Sequence, residues 1–116
     1  MLIYSVILFA LAALFGLYLI SKVFAASLPG WPPVILHGLF AASGLLILLY
    51  AAFVAGPAPT AVIVAALLLL VAALGGFALL SFQLRQQVPP KPMAAVHALG
   101  AVAGFLTLCG SVFGII

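Results

Sequence analysis

Two histidines carry nearly all the site chemistry this chain has to offer. His37 lies in "PVILHGLFAASGLLIL" and His97 in "MAAVHALGAVAGFLTL", in the same local frame 60 residues apart. There is no Asp and no Glu, and the single cysteine, Cys109, is far along the last apolar run. Imidazole is the commonest metal-ligating side chain and binds metal in its neutral form. Helix N-termini, with their partial positive charge, favour that neutral form. Two opposed nitrogen donors suit the axial positions of a haem iron. The bland alternative is that both rings hydrogen-bond backbone carbonyls or water near a membrane boundary.

The remaining chemistries lack their parts. A tetrahedral zinc shell needs more donors than two histidines and a remote cysteine. No nucleophile has a base and an orienting acid, and no glycine loop ending in lysine cradles phosphate. No disulfide can form within the chain. With no CxxCH, a haem here would be b-type, not covalently attached. A net charge of +3, dispersed over the chain, does not describe a nucleic-acid surface.

What positions the histidines follows from composition. The chain is 70% hydrophobic and 3% charged over 116 residues. Soluble domains carry roughly 25% charged residues, so this chain belongs in lipid. A bilayer core about 30 Å thick takes about 20 apolar residues as a helix. Four runs qualify: Leu2–Ala26, Pro33–Ala55, Thr60–Leu84 and Pro92–Ile115. "SLPGWPP", "GPAPT" and "QQVPPKP" punctuate them. In lipid each backbone N–H must find a partner within its own segment, so the runs are expected as helices. The first run is not expected to be a signal peptide: no basic residue precedes it, and it is too long. The expected fold is an all-α integral membrane four-helix bundle, one membrane domain over 1–116.

Residues 1–56 align without a gap on 61–116, with 17 identities in 56 pairs. Rare types match: Ser21 with Ser81, Pro29 with Pro89, Pro32 with Pro92, His37 with His97. The block "LAALFG" at 11–16 meets "VAALGG" at 71–76. This reads as a duplicated helical hairpin. Each copy crosses the membrane twice, so the copies are expected to be parallel, related by an axis along the membrane normal. Equivalent helices then fall on diagonal corners and bring the histidines to one depth.

Polar residues in membrane spans usually face the bundle interior. His37, Ala41 and Gly44 share one helix face, as do His97, Ala101 and Gly104. These small residues are expected to accept the faces of a porphyrin, or else to serve helix packing. With neighbouring helices 8–10 Å apart, diagonal helices lie roughly 12–14 Å apart. That is too far for two imidazoles to touch comfortably and suits one metal atom between them. Lys22, Arg85 and Lys91 would pair with the propionates, with help from Ser21 and Ser81. Gly16 and Gly76 would serve packing or hairpin closure.

The three basic residues lie at the first and third connections, and the positive-inside rule makes that side cytoplasmic. Both termini would then lie outside, in a bacterial inner membrane, with Trp31 at the inner interface and Tyr4 and Tyr50 at the outer. The layout is similar to membrane b-type cytochromes in general, on the strength of the two "H-[GA]-L" helices only. That resemblance implies one bis-histidine haem near the cytoplasmic face, used for electron transfer with a quinone or within a larger membrane complex. The proton-coupled mechanism of the small multidrug transporters is excluded, because it needs a membrane glutamate that this chain lacks. The competing expectation is a haem-free structural or accessory subunit, and association with a second copy stays open.

Overall fold

The computed structural model describes residues 1–116. It contains four helices and no strand: α1 (Leu2–Phe24), α2 (Trp31–Phe53), α3 (Thr60–Leu84) and α4 (Lys91–Val112). All four are long and apolar enough to cross a membrane. The molecule is 43 Å long and 21 × 19 Å in cross-section, which exceeds a hydrocarbon core of about 30 Å.

Local chemistry sets the helix ends. Prolines occupy the first turns of α2 and α4, where their missing N–H costs no helical bond and their φ is already suitable. Trp31 and Lys91 therefore join those helices ahead of Pro33 and Pro92, where the apolar runs alone put the starts. α1 stops at Phe24, two residues short of the apolar run, because Ala26 turns left-handed with φ 54°. Ser27 N–H then donates to the Lys22 carbonyl at 2.9 Å. α3 ends the same way: Gln86 has φ 56° and Gln87 N–H donates to Phe82 O at 2.9 Å. This closure recaptures orphaned terminal carbonyls. α4 stops at Val112, short of Ile115, as Gly114 turns left-handed and Ile115 N–H returns to Gly110 O.

α1 packs on α2 and α3 on α4. The two hairpins meet through α1 against α4 and α2 against α3. α1 and α3 thus occupy one diagonal, α2 and α4 the other. The core gathers toward the end where the chain begins: Val6, Phe9, Leu48, Val62, Ala65, Ala66, Leu69 and Leu108 pack in one cluster. Ser5 is fully buried beside it and donates to Gly44 O at 2.8 Å. Only 18 of 116 residues are buried, and Leu14, Leu46, Leu74 and Leu106 are each more than 60% exposed. A soluble monomer does not present such a continuous apolar surface; acyl chains are its fitting solvent.

Candidate functional site

The histidines lie beyond that core, one on each end of a diagonal. The His37 ring on α2 and the His97 ring on α4 are 6.3 Å apart between centroids, with planes at 78°. The rings come nearer to each other than the spacing of diagonal helices suggests, since each side chain reaches inward from its own corner.

Each ring is tied to the neighbouring helix of its own hairpin. His37 Nδ1 lies 2.8 Å from Ala12 O, and His97 Nδ1 lies 2.7 Å from Ala72 O. A carbonyl only accepts, so Nδ1 is the nitrogen that carries hydrogen and donates. In the neutral ring that leaves Nε2 with a free lone pair. Neither Nε2 has a hydrogen bond within the protein, and no fully enclosed side-chain nitrogen lacks a partner. The unshared nitrogens are therefore accessible. Metal-binding histidines are typically held this way, with the far nitrogen donating to a carbonyl or carboxylate.

Glycines make this contact possible. A β-carbon on Gly16 would stand 3.1 Å from His37 Cε1, and one on Gly76 would stand 3.2 Å from His97 Cε1. Gly75 also abuts His97, at 3.6 Å for the same test. Gly16 and Gly76 follow Ala12 and Ala72 by one turn, so no side chain covers the accepting carbonyls. The ring height is that of Ala12 to Gly16, the middle third of α1. Counted along α2 alone, His37 is less than two turns from the helix start. Judged by the helix it leans on, it lies deeper than the boundary position expected from the sequence.

Other residues of the expected site have separate employment. A β-carbon on Gly44 would meet Leu8 and Phe9 at 3.3 Å, and one on Gly104 would meet Leu69 Cγ at 2.7 Å. Both glycines serve close packing within a hairpin and face filled space. Ala41 and Ala101 are half-buried one turn from their histidines. Ser21 and Ser81 donate to carbonyls of their own helices, Tyr18 O and Ala78 O. Lys91 Nζ lies 5.9 Å from the Phe24 ring centre, Lys22 Nζ lies 5.5 Å from Tyr18, and the Arg85 guanidinium lies 4.5 Å from Phe82. These cations gather at one end of the bundle over aromatic faces, in a chain with no carboxylate side chain to pair them. Cys109 lies against the core cluster, and no group of three His, Cys, Asp or Glu side chains assembles anywhere.

Three features escaped the sequence reading. Gln83 is buried on α3, and its Nε2 donates to Pro29 O at 2.9 Å, fastening the first connection to the second hairpin. Phe15 and Phe40 stack at 5.9 Å between centroids and 21° between planes, across α1 and α2. Their counterparts 60 positions on are Gly75 and Gly100. There an open groove of about 640 Å³ between α3 and α4 reaches His97. The carbonyl acceptors and the ring-contacting glycines did leave a signal, since Ala12, Gly16, Ala72 and Gly76 all lie in the matched blocks "LAALFG" and "VAALGG".

Comparison with protein-family models, with curated proteins and with solved structures found no match.

Proposed function

We propose that this chain is a membrane b-type cytochrome-like protein in which His37 and His97 hold one haem. The observation that carries the reading is the neighbouring pair: two imidazoles 6.3 Å apart, each oriented by its Nδ1 on a helix carbonyl and each with Nε2 unclaimed. A metal–imidazole bond is about 2 Å. Two imidazoles sharing one metal atom would therefore have ring centres roughly 6 Å apart.

The donor set favours a metal that brings its own equatorial ligands. Two nitrogens with no third donor nearby do not complete a shell for a bare ion. A haem would supply one-electron transfer, and its absence of covalent attachment follows from the lack of CxxCH. The chain's own part is to hold two neutral imidazoles, fix their tautomer and surround them with apolar helices. His37 and His97 would supply the group with two nitrogen donors, and no third protein donor lies with them. The basic end of the bundle is proposed as the cytoplasmic end, with the termini outside in a bacterial inner membrane. Contacts that recur at a spacing of 60 residues (Ala12–His37 with Ala72–His97, Ala26 with Gln86) support reading the two hairpins as a duplicated unit.

The test is a reduced-minus-oxidised absorption spectrum of protein purified from haem-replete cells. Split b-type bands that vanish in both His37→Ala and His97→Ala are expected. A stable, colourless preparation would instead leave the second reading, a haem-free accessory subunit. That alternative has its own observation: each histidine already binds α1 to α2, or α3 to α4, through its carbonyl contact.

A further inference from the structure

The face where α1 meets α2 carries a groove of about 570 Å³, walled by Leu11, Leu14, Phe15, Tyr18 and Pro33. The four α1 residues follow one another at the spacing of a single helix stripe. Leu14 is 65% and Tyr18 44% exposed, so the groove lies open to the acyl chains. One turn past Tyr18, Lys22 swings its Nζ back to 5.5 Å from the Tyr18 ring centre. The apolar groove therefore has a cation at one end, two residues short of the α1 terminus. That cation rests on an aromatic face, and the chain has no Asp or Glu to neutralise it.

We infer that this groove seats one anionic phospholipid, with its phosphate on Lys22 and one acyl chain laid along Tyr18, Phe15, Leu14 and Leu11. The charge selects the headgroup. Lys22, Arg85 and Lys91 all lie at this end of the bundle, so a headgroup of net negative charge is drawn to it, while a zwitterionic one brings its own cation into the same field. The length selects the tail. The α1 walls stand four to eleven residues before Lys22, roughly 6–16 Å along the helix, and one leaflet of hydrocarbon is about 15 Å deep. A single acyl chain whose head is at Lys22 thus runs the length of the groove. A soluble phosphate ion would leave the apolar walls without an occupant. In the second hairpin Ala78 and Phe82 stand where Tyr18 and Lys22 stand in the first, so the groove beside His97 has no cation at the equivalent place. The inference goes beyond the haem reading and does not use it, since His37 is not among the groove's walls.

The test offers the full-length protein, in mild detergent, equal amounts of dioleoyl phosphatidylglycerol and dioleoyl phosphatidylcholine and measures the lipid retained by native mass spectrometry. Phosphatidylglycerol is expected to be preferred. Lys22→Gln should cut that preference about fivefold, the effect of one cation at an anionic headgroup, and Lys22→Arg should keep it. Lys91→Gln is the control: its cation rests over Phe24, which two residues of helix place on the opposite side of α1 from Lys22, so the preference should stay nearly unchanged. Leu14→Trp fills the groove from an exposed position and should lower retention of both lipids; it carries the comparison by itself if Lys22→Gln does not fold. Equal retention of the two lipids by the unaltered protein, equal losses in Lys22→Gln and Lys91→Gln, unchanged retention in Leu14→Trp, or displacement of the lipid by millimolar inorganic phosphate would each overturn the inference. Retained lipid is read without reference to haem, so a colourless preparation would overturn the haem reading and leave this one standing.

Discussion

Gly16 and His37 are complementary surfaces: the imidazole fills the space that a side chain at position 16 would take, with Cε1 at 3.1 Å from where a β-carbon would stand. Gly76 and His97 repeat the relation at 3.2 Å. One methyl group there must shift the ring by a few tenths of an ångström against its carbonyl contact. Gly16→Ala and Gly76→Ala are each expected to destabilise the bundle by about 1–3 kcal/mol, the usual cost of overpacking. The check is unfolding in detergent, with haem content measured on the same samples; haem should fall together with stability.

His37→Asn separates a ligand from a strut. The asparagine side-chain amide can donate to Ala12 O as Nδ1 does, yet it offers no nitrogen lone pair on the far side. Its stability is expected to stay within about 1 kcal/mol of the unaltered protein, the value of one neutral hydrogen bond. The b-type absorption should nevertheless disappear. Retained absorption in His37→Asn would contradict axial ligation by this residue.

Ala26 and Gln86 hold the left-handed conformation without being glycine. That conformation costs an L-residue roughly 1–2 kcal/mol. Ala26→Gly and Gln86→Gly should therefore each raise stability, by about 0.5–1 kcal/mol once glycine's extra freedom in the unfolded chain is counted. Thermal unfolding of each variant measures it, and a fall in stability would contradict the capping geometry.

Gly104 and Gly38 are expected to answer alanine substitution in opposite ways. At Gly104 a β-carbon would overlap Leu69 at 2.7 Å, whereas at Gly38 nothing lies within 4 Å. Gly104→Ala should cost about 1–3 kcal/mol. Gly38→Ala should be neutral or gain up to about 1 kcal/mol from helix propensity. Comparing the two by unfolding tests whether α4 presses on α3 as tightly as the structure has it.

Much of the architecture was readable in the residues. Apolar runs of spanning length separated by Pro- and Gly-rich breaks specify helices in lipid, because the backbone has no other way to satisfy itself there. The diagonal placement of α2 and α4 was expected from the 60-residue frame and is what brings His37 opposite His97. Less was readable at helix ends, where the left-handed turns of Ala26 and Gln86 obey closure hydrogen bonds and not composition.

The sequence by itself determined that this chain lives in a membrane as four helices, and that its two histidines, His37 and His97, stand in one frame. It did so because hydropathy and the satisfaction of backbone hydrogen bonds are local demands, met residue by residue. Only the tertiary structure decided that the glycines beside the rings are 16, 75 and 76, that Gly44 and Gly104 are filled packing contacts, and that the groove of the second hairpin reaches its histidine while Phe15 walls that of the first. Those outcomes depend on which helix leans on which, and at what height, and interlocking side chains set both across distances that no local pattern records.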